Sequence, residues 1–79
     1  MHIELHLFAS LAEYLPDHEK GNPNVLELPA GTSIGELIDL LKIPSEAPRI
    51  IFRNGIHADR EAVLMDGDRV GMFPPLAGG

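Results

Sequence analysis

SIGELIDLL, residues 33–41, is the stretch of this chain in which apolar residues repeat with helical spacing. Ser33 and Glu36 have the spacing of a capping box, in which each side chain accepts a hydrogen bond from the other residue's backbone N–H. The segment therefore predicts an amphipathic helix that begins after Ser33 and is stopped by Pro44. Its apolar face follows the i, i+3, i+4, i+7 pattern and consists of Ile34, Leu37, Ile38 and Leu41.

Short strand patterns lie on both sides of this helix. In residues 2–8 apolar and polar residues alternate, which predicts a strand with one buried face. Asn54-Gly55 predicts a hairpin turn, since both turn positions favour positive φ. The predicted strands cover residues 2–8, 25–28, 49–53, 55–58 and 69–73. One helix and a one-sided sheet can cover each other in two layers, so the sequence predicts an α+β fold.

Three shorter signals complete the predicted outline. Ser10 and Glu13 form a second capping-box pattern, which predicts a short helix that Pro16 ends. Residues 17–24 contain Gly, Asn and Pro and predict a loop, and residues 66–68, Asp-Gly-Asp, predict a tight turn.

The last predicted strand has two possible buried faces. Val70 and Met72 share one face, whereas Arg69 and Phe73 share the other. Because an unpaired Arg69 should not be buried, Val70 and Met72 are expected in the core and Phe73 outside it.

Composition limits the classes of function. The 79 residues predict one small domain, and the absence of cysteine excludes disulfides, zinc-cysteine sites and thiol catalysis. The net charge of −6 argues against a nucleic acid or an anionic membrane as partner. The sequence shows neither a signal-peptide pattern nor an apolar run long enough to span a membrane, so a cytoplasmic protein is expected.

No catalytic or metal-ligating set is predicted. His2, Glu4 and His6 share a strand face, but His2 and His6 lie about 13 Å apart, too far for one ion. The turn Asp66-Gly67-Asp68 lacks the remaining ligands of a calcium loop. No Gly-rich phosphate loop and no nucleophile with a base is recognisable, so the chain is not expected to be an enzyme.

The ending FPPLAGG, residues 73–79, is the strongest functional signal. Pro74-Pro75 stops the last strand and favours an extended path, which predicts a domain of residues 1–73 and a tail of residues 74–79. Such a tail can reach roughly 20 Å. Ala77, Gly78 and Gly79 have little side-chain bulk, so the tip could thread a narrow channel in another protein.

The terminal carboxylate of Gly79 would be the reactive group of this tail. A partner that transfers AMP from ATP onto it would form a mixed anhydride, which sulfur or nitrogen nucleophiles can attack. The catalytic groups would then belong to the partner. Two alternatives remain open: a protein-conjugating modifier, which needs the same activated tail, and a non-covalent interaction module that binds through Phe73.

Several segments together resemble the ubiquitin-like sulfur-carrier family (MoaD/ThiS), which includes the small subunit of molybdopterin synthase and the thiamine-pathway carrier. The resemblance covers the whole chain, and its specific motifs lie at the two ends. The matching segments are LFASLAEYLP (7–16), VLELPAGTSIGELIDLL (25–41), IIFRNG (50–55), DGDRVGMFPP (66–75) and AGG (77–79). The resemblance implies a ubiquitin-like β-grasp: a mixed sheet of four to five strands under one main helix and a short helix, with the last strand parallel to the first in the middle of the sheet.

The resemblance also implies roles for the tail. Gly79 would be adenylated by an E1-like adenylyltransferase and converted to a thiocarboxylate that donates sulfur. Gly78 and Ala77 would thread into the partner. The partner interface would consist of Phe73, Pro74, Pro75 and Leu76.

The implied partners are the activating enzyme, which uses ATP, and a sulfur acceptor, with no cofactor bound by this chain itself. Length and the FPPLAGG ending favour molybdopterin biosynthesis, in which the acceptor is the large catalytic subunit of molybdopterin synthase. Carriers for thiamine or cysteine synthesis are the alternatives. Ala12 departs from the family, which commonly has Arg before the residue equivalent to Glu13, and this puts the pathway in question.

Overall fold

The computed structural model describes residues 1–15 and 25–75, which form one mixed sheet of five strands with a helix on one face. The strand order is β2-β1-β5-β3-β4. Strand β5 runs parallel to β1 and antiparallel to β3, so the last strand occupies the centre. The predicted β-grasp arrangement is confirmed. The elements are β1 (His2–Leu7), a 3-10 helix η1 (Ala9–Tyr14), β2 (Val25–Glu27), α1 (Ile34–Leu40), β3 (Ile50–Arg53), β4 (Ile56–His57) and β5 (Arg69–Phe73).

Helix α1 begins with the capping box that the sequence predicts. The Ser33 hydroxyl accepts a hydrogen bond from the Glu36 N–H at 3.1 Å, and the Glu36 carboxylate accepts one from the Ser33 N–H at 2.9 Å. Two backbone donors that would otherwise lack partners at the helix start are thereby satisfied. Lys42 follows the helix with a φ of 62°, a left-handed conformation that ends the helical path before Pro44.

The core lies between α1 and one face of the sheet. Alternation in the strands places the odd-numbered residues of β1 and the even-numbered residues of β5 on this face, as predicted. Val70 and Met72 are completely buried, which confirms that this is the core face of the last strand. The other main core residues are Ile3, Leu5, Leu7, Leu11, Leu28, Ile34, Leu37, Ile38, Ile43, Ile51 and Leu64.

Gly35 has the poorest helix propensity of the residues in α1, and the packing explains its presence. Its N–H donates a hydrogen bond to the Arg60 carbonyl at 2.8 Å. A Cβ on Gly35 would lie 3.3 Å from that same oxygen, closer than most such contacts. Glycine therefore lets the loop before β5 approach the first turn of the helix.

The prediction of a capping box at Ser10 and Glu13 is wrong. The short helix η1 starts at Ala9, so Ser10 lies inside it, and no side chain caps its start. The reason is the sheet: the Phe8 N–H donates to the Met72 carbonyl at 3.1 Å, which keeps the chain extended to Phe8. The predicted loop at residues 17–24 and the predicted stop at Pro16 lie outside the described residues.

The hairpin between β3 and β4 turns at Asn54-Gly55 as predicted, with φ of 54° and 80°. Asn54 also connects this turn to β5. Its N–H donates to the Arg69 carbonyl at 2.7 Å, and its side-chain oxygen accepts from the Arg69 N–H at 2.9 Å. Its amide nitrogen donates to the Asp68 carboxylate at 3.0 Å.

Asp68 is the one buried charged residue in the described part of the chain, and the sequence did not indicate its burial. Besides Asn54, the Met65 N–H donates to its carboxylate at 2.8 Å. Asp68 thus joins the turn before β5, which contains Gly67 at a φ of 87°, to the β3–β4 hairpin. Across residues 1–15 and 25–75 no helix has the length and apolar character needed to cross a bilayer.

Candidate functional site: the open sheet face and the base of the tail

The candidate site lies on the sheet face opposite α1, called here the open face. Strand alternation places on it the even-numbered residues of β1 and the odd-numbered residues of β5. The centre of the face is a shallow depression of about 620 Å³. It is lined by Glu4, His6, Phe8, Phe52, Gly55, Arg69, Gly71 and Phe73.

Five aromatic rings form a continuous row across this face, called here the aromatic row. It runs from His6 through Phe8, Phe73 and Phe52 to His57. Successive ring centroids lie 6.4, 4.3, 6.0 and 5.9 Å apart. These are the spacings at which aromatic rings attract each other, so the row forms an ordered apolar surface.

Phe73 occupies the middle of the row. It lies on the open face, as the alternation predicted, but it is half-buried rather than fully exposed. The cause is Phe8, whose ring stacks on it with an angle of 2° between the planes, together with the Phe52 ring, which meets it at 89°. Its role as partner interface stays a prediction.

Phe8 was not predicted as part of the site, although the sequence contained a signal for it. Residue 8 continues the even-numbered series of β1, which places its ring on the open face. Its side chain is among the exposed large apolar groups, at 42% exposure. The ring also covers Gly71, since a Cβ there would lie 3.5 Å from the Phe8 ring.

The base of the predicted tail is held by both neighbours of β5. On one side the Phe8 N–H donates to the Met72 carbonyl at 3.1 Å. On the other the Arg49 N–H donates to the Phe73 carbonyl at 2.8 Å. Pro74 is half-buried and Pro75 is exposed. The remaining predicted site residues, Leu76, Ala77, Gly78 and Gly79, lie outside the described residues, and their roles stay predictions.

A polar group adjoins the aromatic row on the β1 side. The Glu4 Oε2 atom lies 2.5 Å from the His6 Nε2 atom and 3.7 Å from the Arg69 Nε atom. The hydrogen bond from His6 lowers the pKa of Glu4; loss of water opposes this effect and the positive charge of Arg69 adds to it. Glu4 is therefore ionised at neutral pH, with much of its charge balanced locally.

The histidines of β1 have separate carboxylate neighbours. His6 contacts Glu4, whereas His2 lies 4.0 Å from Glu27 on β2. Within the ranges that the structure describes, no three potential ligands gather closely enough to hold a metal ion. Ala12, where the sequence departs from the family pattern, is exposed in η1.

Solved structures with this fold include two at about one-quarter sequence identity. SAMP1 from Haloferax volcanii is 26% identical, with a TM-score of 0.69 and complete coverage of both chains. Molybdopterin converting factor subunit 1 from Pyrococcus furiosus is 25% identical, with a TM-score of 0.68, and the match covers 96% of this chain and 99% of that one.

A third solved structure shares the fold at lower identity. It is a complex of subunits 1 and 2 of molybdopterin-converting factor from Helicobacter pylori 26695. Its matching chain is 20% identical, with a TM-score of 0.56 and full coverage of both chains. Comparison with curated proteins gives no significant match.

The family comparison covers nearly the whole chain. The model of the ThiS family matches residues 5–79. This span includes the central strand β5, every ring of the aromatic row and the Gly78-Gly79 ending. With its ubiquitin-like β-grasp fold, the chain belongs to the ThiS family.

Proposed function

We propose that this chain is a sulfur-carrier protein whose C-terminal Gly79 is adenylated and then converted to a thiocarboxylate. The observation that carries the proposal is the construction of the tail base. The central strand is hydrogen-bonded up to Met72 on the β1 side and up to Phe73 on the β3 side, and then passes into Pro74-Pro75. Because the start of the tail is held in place, the tail can be presented to a partner in a defined direction. The family match continues to Gly79.

The chemistry needs only the carboxylate from this chain. One carboxylate oxygen of Gly79 attacks the α-phosphorus of ATP, which forms an acyl-adenylate and releases pyrophosphate. Hydrosulfide, supplied by a sulfur donor, then attacks the carbonyl carbon; the C–O bond to AMP breaks, and thiocarboxylate and AMP result. The thiocarboxylate sulfur next adds to an activated carbon–carbon double bond of the acceptor; the π bond opens, and the neighbouring carbon takes up a proton from solvent. Water cleaves the acyl–sulfur bond, which leaves the sulfur on the acceptor and restores the carboxylate.

The activating partner is an E1-like adenylyltransferase, which supplies the catalytic groups and the ATP site. Members of the ThiS family are small carriers, and this chain is accordingly a protein substrate with no cofactor of its own. We assign docking to the aromatic row, because its central ring immediately precedes the tail and its rings are exposed in part. The net charge of −6 favours a basic surface around the docking site of the partner.

We assign the carrier to molybdopterin biosynthesis, with the large catalytic subunit of molybdopterin synthase as the sulfur acceptor. Support comes from the similarity to the molybdopterin converting factor subunit 1 of Pyrococcus furiosus. Thiamine or cysteine biosynthesis is the alternative, because the same tail chemistry serves any acceptor with an electrophilic carbon. Activity with the purified large subunit and a molybdopterin precursor distinguishes these pathways. Cytoplasmic localisation is part of the proposal, since activation consumes ATP.

A protein modifier is the second candidate function, favoured by the similarity to SAMP1 of Haloferax volcanii. The activated Gly79 would then be attacked by a lysine amine of a target instead of by sulfur. A stable amide between Gly79 and a target lysine, found by mass spectrometry of tryptic peptides, would identify this function.

The deciding experiment is incubation of the full chain with an E1-like adenylyltransferase, ATP and a hydrosulfide donor, followed by intact-mass spectrometry. We expect a mass gain that corresponds to replacement of one oxygen by sulfur. Deletion of Gly79, or addition of one residue after it, should abolish the gain while the fold stays intact. A gain that persists in either variant would contradict the proposal, as would its absence in the wild type.

A further inference from the structure

Histidine is concentrated on the open face. The chain has four histidines. Three of them lie in the described ranges, and all three are at open-face positions of strands β1 and β4: His2, His6 and His57. Two of them, His6 and His57, are the end rings of the aromatic row. The apolar centre of the face is therefore bounded on both sides by rings that can take up a proton near neutral pH.

We propose that His6 and His57 belong to the docking surface and make docking of the activating partner pH-dependent, with tighter docking at pH 8 than at pH 6. This inference rests on the proposed function, since it concerns the same docking event. The geometric basis is that a partner covering Phe8, Phe73 and Phe52 also covers the rings at each end, which lie 6.4 and 5.9 Å from their neighbours in the row.

Two physical effects act in the same direction. Covering an imidazole removes water from it, and desolvation disfavours the charged form. A basic surface on the partner, the complement of a chain with a net charge of −6, repels an imidazolium as well. Both effects weaken the complex when the histidines are protonated, so docking must release the protons that they carry.

Charged side chains lie near both His6 and His57. Next to His6, the Glu4 carboxylate of β1 lies 2.5 Å from its Nε2 atom, and the same carboxylate lies 3.7 Å from the Arg69 Nε atom of β5. His57 packs its ring against Phe52 and lines a small depression with Arg53 of β3. Arg53 is turned away to the Val63 carbonyl, which it reaches at 2.9 Å, and to Asp68 at 4.0 Å.

The test measures the affinity of the full chain for the purified E1-like adenylyltransferase by calorimetry at pH 8, 7 and 6 and constant ionic strength. We expect the wild-type affinity to fall about 10-fold from pH 8 to pH 6, since each group that must lose a proton weakens binding by up to about 10-fold per pH unit. In the double variant His6→Phe/His57→Phe the rings remain but cannot be charged. Ionisable groups of the enzyme also contribute to the pH dependence. Beyond that contribution, the affinity of the double variant should change less than about 2-fold between pH 8 and pH 6.

Two further variants make the result decisive. His6→Gln/His57→Gln removes the charge without adding apolar surface, so it replaces the phenylalanine variant if that one aggregates. His2→Gln is the matched control, because His2 is on the open face but outside the aromatic row, and it should retain the wild-type pH profile. Identical pH profiles in the wild type and both double variants would overturn this inference but would leave the docking proposal standing. Failure of the wild type to bind at every pH would overturn the docking proposal and this inference with it.

Discussion

The two faces of strand β5 differ in how they use apolar residues. On the helix side Val70 and Met72 are aliphatic and completely buried. On the open side Phe73 is half-buried and contacts other rings, with Gly71 beside it as the floor of the depression. Aliphatic side chains fill a closed core, whereas aromatic rings present a large ordered surface that a partner can cover. One strand thus contributes to stability through one face, and we propose that it contributes to docking through the other.

Truncation on the helix side is the strongest test of this division. Met72→Ala should lower the free energy of unfolding by about 2–5 kcal/mol, because it leaves a cavity between the sheet and α1. Urea denaturation followed by circular dichroism measures the loss. If Met72→Ala cost no more stability than truncation of the neighbouring Phe73, the two faces would not differ as described.

The buried carboxylate that joins two turns should have the next largest effect. Asp68→Ala removes the acceptor for the Met65 N–H and the Asn54 amide and should cost about 1–3 kcal/mol. The same denaturation assay measures it. Asp66→Ala is a control in the same turn, since Asp66 is exposed and accepts a solvent-exposed hydrogen bond from the His2 N–H. Equal losses in both variants would contradict a special role for the buried acid.

A change on the open face should separate stability from docking. Phe73→Leu keeps an apolar side chain but removes the ring contacts with Phe8 and Phe52, so we expect a stability loss of only about 0.5–1.5 kcal/mol. Affinity for the E1-like adenylyltransferase should fall at least about 10-fold, as for a central interface residue. Val25→Ala, on the edge strand β2 and 42% exposed, is the control that should leave affinity unchanged. Unchanged affinity in Phe73→Leu would remove the aromatic row from the docking surface.

The smallest effect is expected at Glu4. Its pKa is lower in the folded chain, so its ionised form stabilises the fold above the ordinary pKa of 4.5. That contribution is lost as the pH falls through the folded-state pKa. The difference in melting temperature between the wild type and Glu4→Gln should therefore be present at pH 6–7 and disappear in the acid range below the ordinary pKa. A difference that grew on acidification would contradict the sign of the shift.

Much of the fold could be predicted because the signals are local. Helix α1, its capping box, the Asn54-Gly55 hairpin and the two faces of β5 follow from periodicity and from the φ values that particular residues accept. The β-grasp order came from the resemblance to a family. The failed capping box at Ser10 shows the limit, because a sheet hydrogen bond at Phe8 placed the N-cap at Phe8, two residues earlier than predicted.

The candidate site was predictable in part for the same reason. Phe73 and the tail that follows it could be found because alternation and the Pro74-Pro75 pair are visible along the chain. The aromatic row could not, because its rings come from four separate segments and meet only when β1, β5, β3 and β4 are neighbours.

The sequence by itself determined most elements of this protein, the core faces of the first and last strands and the family that the chain resembles. Only the tertiary structure decided that Phe8 stacks on Phe73, that Asp68 is buried beneath a hairpin turn, and that Gly35 admits a loop against the helix. The physical reason is distance along the chain. Propensity, periodicity and turn chemistry act between neighbours in sequence, whereas these contacts join residues far apart and exist only once strand order and register are established.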